Sequence, residues 1–398
     1  MFDPARHVAD PHYPAWDEGR TREAIAEIAA DALAAGHPET LWPAHPLDDG
    51  VPDGLGCVYF GAAGIIWALD ALRRRGFIGH RPDFVPYLAA AEEKNAAWYA
   101  GGPYPKHASL LMGDLGILLV RMRVAPVPGL ADRIFATAAR NNDLPVLELM
   151  WGLPGSMLAC VHMAALTGEA RFGGLFQTPL ARLLAELETD GPAPIWTQDL
   201  YGARRKFLGP VHGFAGNMLP LFLGWRWLST EQQSVVENAI RGTLAWHAIQ
   251  TETGINWPAT VPHSDAPPRP PLCQYCHGAP GIVTSLAGAP FSDAETENHL
   301  VGGAELTWAA GPLLKGSNLC HGTGGNGYAF LKLFARTGET LWLDRARAFA
   351  MAAIGQMRAA RAVYGQGRYS LWTGDTGLAI YLADCIDGVA RFPTVDVM

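Results

Sequence analysis

Three short segments concentrate the side chains that could do chemistry. Residues 210–217 read Pro-Val-His212-Gly-Phe-Ala-Gly-Asn, residues 273–281 read Cys273-Gln-Tyr-Cys276-His277-Gly-Ala-Pro-Gly, and residues 319–328 read Leu-Cys320-His321-Gly-Thr-Gly-Gly-Asn-Gly-Tyr. In each, histidine stands immediately before a Gly-x-x-Gly pair, and Cys276 and Cys320 both lie two residues before the first glycine. Thiolate sulfur and imidazole nitrogen are the donors zinc takes, and a catalytic zinc site uses three protein ligands with one position open. Cys276, Cys320 and His321 are therefore the expected ligands. The competing interpretation is a set of buried free thiols and a core histidine, which suits Cys57, Cys160 and Cys385. Cys273 and Cys276 form a Cys-x-x-Cys, but no second such pair completes a zinc ribbon, and a redox pair would lack its βαβ context.

The glycines that follow these residues belong to a wider pattern. Gly-x-x-Gly before an apolar run occurs seven times, at Gly61, Gly113, Gly152, Gly213, Gly278, Gly322 and Gly374, with intervals of 52, 39, 61, 65, 44 and 52 residues. Runs such as Gly64–Leu72 and Gly377–Cys385 are apolar nearly all round, as in helices buried on every side. Between them lie amphipathic stretches near 21–35, 83–100, 131–141, 178–189, 230–249, 293–310 and 340–360, with capping-box spacing at Ser229/Gln232 and Ser292/Glu295. Seven outer helices thus alternate with seven inner ones. Ring closure hides the ends that an open solenoid must cap, and solenoid repeats would be more regular. The expected fold is all-α, an (α/α)7 toroid forming one domain over 1–398, with residues 1–20 as an N-terminal extension and the repeats running from about 21 to 390. The glycine turns should gather at one face, where glycine tolerates close approach and unusual φ and helix N-termini present free N–H groups. The long loops, near 36–60, 190–211, 250–275 and 361–371, lead into that face, where a site is expected.

Composition narrows the partners. The 398 residues are 49% hydrophobic and 17% charged, enough apolar material for a large core, with a net charge of −8. With no long basic run and no stretch of 18 apolar residues, neither nucleic acid nor a membrane is an expected partner. Six cysteines in so long a chain do not form a disulfide framework, and Met1–His7 lacks a signal peptide's apolar segment. A cytoplasmic protein is expected, and a monomer, since a closed ring needs no partner to bury its core.

At the level of motifs the chain resembles the lanthionine synthetase C-like family. Cys276-His-Gly-Ala-Pro-Gly281, Cys320-His-Gly-Thr-Gly-Gly-Asn326 and His212-Gly-Phe-Ala-Gly216 match its three motifs, and Tyr369–Gly377, Tyr381–Asp384 and Arg391-Phe-Pro393 resemble the C-terminal end of its eukaryotic branch. His277, where bacterial peptide cyclases usually carry tyrosine, points to the same branch. The resemblance implies an α/α toroid, zinc on Cys276, Cys320 and His321, His212 as acid/base, and Glu148 and His277 as further site residues. It implies addition of a zinc-activated thiol, from glutathione or a peptide cysteine, to a dehydroalanine or dehydrobutyrine in a peptide or protein. Leu272 stands where the cyclases carry arginine, with Arg269 nearby, which tells against a classical lanthipeptide substrate. Other interpretations stay open: a non-catalytic zinc- and glutathione-binding protein on the same scaffold, or another toroid enzyme such as a glycan hydrolase, although that would need facing carboxylates. Glu148 also fits a salt-bridged helix-start carboxylate, the role expected of Asp114 and Asp375, and His277 one satisfied by backbone.

Overall fold

The structure is a computed structural model that describes residues 2–48, 50–100, 108–262 and 270–398; Arg269 lies outside the described residues. Inner helices are α2 (Ala62–Arg74), α4 (Asp114–Val124), α6 (Leu153–Thr167), α8 (Phe214–Leu223), α10 (Ala279–Leu286), α12 (Thr323–Thr337) and α14 (Asp375–Asp387). Outer helices are α1 (Glu18–Ala35), α3 (Val85–Ala100), α5 (Leu130–Arg140), α7 (Arg171–Ala185), α9 (Thr230–His247), α11 (Ala294–Ala310) and α13 (Thr340–Tyr364). Each inner helix packs on the next, and α14 packs back on α2, so the ring closes. The first outer helix, α1, is seated on α14 and α13 from the far end of the chain. Every residue from Ala62 to Leu72 of α2 is buried, because neighbours cover it on all sides. On α1 the buried residues are Thr21, Ala24, Ile25, Ile28, Ala29 and Ala32, the single stripe of an outer helix.

Two hairpins, β1 (Gln198–Leu200) with β2 (Ala203–Arg205) and β3 (Ile249–Thr251) with β4 (Gly254–Asn256), occupy the long loops before α8 and α10. Helix α7 starts at Arg171, earlier than the expected 178. Gly173, Gly174 and Pro179 read locally as breakers, yet burial of Phe172 and Phe176 holds the helix through them. The Ser229 capping box forms, whereas α11 is capped by Asp293, which accepts the Thr296 N–H, and Ser292 bonds Glu297 instead. No helix among the described residues is long and apolar enough to cross a membrane.

The first glycine of each pair is the N-cap of its inner helix. Six of the seven have an ordinary φ, between −107° and −147°, and only Gly278, at +105°, needs a conformation that side chains avoid. Space is the general requirement. A Cβ on the second glycine would lie 1.7 to 2.6 Å from the carbonyl oxygen six residues earlier, closest at Gly325 against Leu319. The helix-start N–H groups are also less free than expected. Those of Ala62, Leu153, Phe214, Thr323 and Asp375 donate to the carbonyl seven residues earlier.

A main-chain girdle joins five turns through the residues two before their first glycines. Cys276 donates its N–H to the Cys320 carbonyl (3.0 Å), Cys320 to Trp372 (2.8 Å), Trp372 to Tyr59 (3.2 Å) and Tyr59 to Leu111 (2.9 Å). The C-terminal tail supports it from within the ring. Phe392 stacks on Tyr275 at 4.4 Å and meets Trp372 and Tyr328, Lys332 pairs with Asp396, His162 holds the Val395 carbonyl, and Arg123 donates to Met398. The N-terminal segment is tied down too: Val8 donates to Pro312, Leu314 to Arg6, and Tyr13 stacks on Trp308.

Candidate metal centre and its histidine–carboxylate pair

Adjacent turns bring Cys276, Cys320 and His321 together, their ligand atoms all lying within 4.8 Å of one another. Both cysteines are buried and His321 is half-buried. The donor set fits a soft or borderline cation in three of four tetrahedral positions. The two sulfurs hydrogen-bond to each other. Cys320 is held well below the usual thiol range, first by its hydrogen bond with Cys276 and then by His321 and Tyr59. Cys276 is pushed well above it, first by the same bond and then by burial. The bland interpretation does describe Cys57, Cys160 and Cys273, whose thiols burial pushes up to about 11, 12 and 12.

Each candidate ligand sulfur also takes a side-chain donor. The Tyr59 hydroxyl donates to Cys320 Sγ at 2.7 Å, and Gln274 Nε2 donates to Cys276 Sγ at 2.9 Å. Neither residue was singled out from the sequence, although a signal existed. Tyr59 stands two before Gly61, as the cysteines stand before Gly278 and Gly322. Gln274 stands four before Gly278, the position of Glu148 before Gly152 and Asn318 before Gly322. At that position the side chain can fold back on the N–H three residues on. Glu148 Oε1 accepts from the Trp151 N–H (2.5 Å) and Asn318 Oδ1 from the His321 N–H (3.0 Å), which fixes the backbone of the candidate ligand histidine.

Glu148 is fully buried and has no lysine or arginine partner among the described residues. Its Oε2 accepts from His212 Nδ1 at 2.7 Å and from the Met150 N–H at 3.2 Å. It is thus a histidine-orienting carboxylate; Asp375, by contrast, is the ion-paired helix-start residue, with Arg361 at 2.9 Å. The bond assigns the Nδ1 proton to the carboxylate side and leaves His212 Nε2 for other work. The loop carrying His212 lies on the cysteine turn, since a Cβ on Gly209 would be 2.2 Å from the Cys276 carbonyl oxygen. Tyr201, at the tip of the β1–β2 hairpin, sets its ring edge on His212 at 5.5 Å and accepts the Trp151 indole N–H.

His277 is held neutral, its pKa lowered to about 4 by burial and then by the nearby His212, and its Nδ1 is buried with no hydrogen-bond partner among the described residues. Lys315 acts electrostatically on both Cys276 and His277. With Arg6, Gln274, Leu313 and Leu314 it lines a cavity of about 240 Å³ beside the cluster.

A closed ring of seven helix pairs with a thiol–imidazole cluster and a histidine–carboxylate pair on neighbouring turns defines a narrow class of α/α toroids. The profile of lanthionine synthetase C-like proteins matches residues 132–397, and the chain belongs to that family. It is 26% identical over 268 residues to LanC-like protein GCL1 of Arabidopsis thaliana, covering 62% of this chain and 59% of that one. It is 33% identical over 133 residues to glutathione S-transferase LANCL1 of Danio rerio, covering 32% of each. The chain thus matches less than two thirds of the length of these relatives. The solved structure of nisin cyclase superposes with a TM-score of 0.62 over 94% of this chain and 96% of its own, at 13% identity, which shows the fold.

Proposed function

We propose that the protein is a zinc-dependent enzyme that forms thioethers, adding a thiol to a dehydroalanine or dehydrobutyrine residue of a peptide or protein. The observation that carries this is the convergence of Cys276, Cys320 and His321, from consecutive turns, to within 4.8 Å. Three ligands leave one position for a substrate, and bound zinc would hold an incoming thiol there as its thiolate, the nucleophilic form.

Addition forms a bond from sulfur to the acceptor's Cβ and breaks the C=C π bond, whose electron pair passes to Cα and the carbonyl oxygen. A proton must then reach Cα. His212 is the residue proposed to deliver it from Nε2, since Nδ1 is engaged by Glu148 at 2.7 Å. Glu148 fixes the ring and stabilises its charged form. His277 is neutral near pH 7, so its proposed part is to line the site and accept or donate a hydrogen bond. Arg6 and Lys315 at the adjoining cavity favour an anionic thiol, and glutathione is such a donor. The name of the Danio rerio relative agrees with that choice.

The test is metal content, with adduct formation between glutathione and a dehydroalanine peptide, in wild type, Cys276→Ala, Cys320→Ala and His212→Asn. One zinc in wild type, loss of metal and activity in the cysteine variants, and loss of activity alone in His212→Asn are expected. Metal retained in Cys320→Ala would overturn the ligand assignment. Metal bound with no adduct formed from either glutathione or a cysteine peptide would overturn the enzymatic proposal.

A further inference from the structure

We propose that Tyr59 and Gln274 protect the two ligand sulfurs from the enzyme's own acceptor, so that only the incoming thiol adds to it. This rests on the zinc centre proposed above. A centre of that kind presents three sulfurs to one electrophile: Cys276, Cys320 and the substrate. Addition at a ligand cysteine would form the same C–S bond, move the same π pair and consume the same proton. It would also turn a thiolate ligand into a neutral thioether, a far weaker donor, and end turnover. The fold must therefore distinguish chemically similar sulfurs.

The distinction is built from two hydrogen bonds. Tyr59 Oη donates to Cys320 Sγ at 2.7 Å and Gln274 Nε2 to Cys276 Sγ at 2.9 Å. Each bond ties up sulfur electron density that an alkylation would need. Both donors are buried and rigidly placed. The Tyr59 backbone is held on both sides by the girdle, and its ring stacks on Trp372 at 5.4 Å. Gln274 is pinned by reciprocal main-chain bonds with His277. Tyr59 lies 261 residues from Cys320, so ring closure, not local sequence, delivers it. Both donors are already committed to the cysteine sulfurs, so neither is on hand for a substrate sulfur arriving from solvent.

The test uses zinc-loaded full-length protein and N-acetyldehydroalanine methyl ester as the electrophile, with no thiol added. Modified cysteines are located and their rates read by peptide mass spectrometry. Tyr59→Phe should speed modification of Cys320 by roughly tenfold, the loss of one hydrogen bond to a charged acceptor, and leave Cys276 slow. Gln274→Met, which keeps the volume without the N–H, should do the reverse. In the cobalt-substituted protein each variant should shift the sulfur-to-metal charge-transfer band. Acceleration of both cysteines together in either variant would mean a loosened site and overturn the inference. Metal bound and both rates unchanged would overturn it alone, while a wild type that binds no metal would remove the zinc centre as well.

Discussion

Replacing Glu148 by glutamine isolates the carboxylate's charge from its shape. The carboxylate is fully buried, with Oε2 taking His212 Nδ1–H and the Met150 N–H while Oε1 takes the Trp151 N–H. Glutamine has one acceptor oxygen. If that oxygen replaces Oε2, the amide N–H2 faces the Trp151 N–H and two donors oppose each other. If it replaces Oε1, the amide faces His212, which must move its proton from Nδ1 to Nε2, and the Met150 N–H loses its partner. Either arrangement leaves a buried donor unsatisfied, the Trp151 N–H in the first and the Met150 N–H in the second, at about 1–3 kcal/mol of stability. In both, the charge-assisted bond that supports a protonated His212 is lost. Such a bond contributes about 1.5–3 kcal/mol, so the adduct should form about 10- to 100-fold more slowly. The assay is single-turnover addition of glutathione to a dehydroalanine peptide, with metal content and thermal midpoint measured on the same samples. A folded, metal-replete Glu148→Gln with the wild-type rate would refute a role for the pair in the reaction.

Gly325→Ala places a Cβ 1.7 Å from the Leu319 carbonyl and 3.0 Å from Tyr275 Cβ. It should destabilise by about 1–3 kcal/mol or more and displace the Cys320 turn, so both the thermal midpoint and metal affinity should fall; unchanged metal affinity would contradict the close approach. His162 is buried and its pKa is lowered to about 4 from an ordinary 6.5. A lowered histidine pKa contributes stability above pH 6.5 that is lost as pH falls toward 4, up to about 3 kcal/mol. His162→Gln should flatten that part of a urea-midpoint profile, and an unaltered slope would exclude the residue. Chelation of the metal should leave the helical circular dichroism intact, because the fourteen α-helices of the described residues bury a core far larger than the cluster; collapse to coil would refute this.

The alternation of helices was legible because it rests on local signals: apolar all round inside, one stripe outside, glycine at each join. The cluster was legible because Cys276 and Cys320 share a position in consecutive repeats. What stayed hidden depends on distance along the chain. Tyr59 is a tyrosine before one glycine pair among seven until closure sets it on Cys320. Of the two reasons expected for glycine, close backbone approach holds at all seven turns and unusual φ only at Gly278, since the crowding atom is a carbonyl from the preceding loop. At α7 local breakers were overruled by Phe172 and Phe176 packing, a tertiary effect that local signals do not carry.

Chemistry in this ring reduces to a choice of residue at three positions per turn. Four before the first glycine stands a side chain that can brace the turn, as Glu148 and Asn318 do, or reach a neighbouring sulfur, as Gln274 does. Two before stands the girdle residue, which is Cys276, Cys320, Trp372, Tyr59 or Leu111. One before stands the residue that can face the site: Trp151, His212, His277 and His321 in order. Because the girdle and the glycine contacts are main-chain features, such substitutions leave the scaffold intact. The proposed ligands are consequently in place without a metal, and binding one need not be repaid in folding. The reactive pair then occupies consecutive turns, with His212 and its carboxylate on one side of the cysteines. Tyr59 reaches them from the other side through the closure of the ring, which sets His212, the proposed proton donor, and Tyr59 on opposite sides of the cysteines.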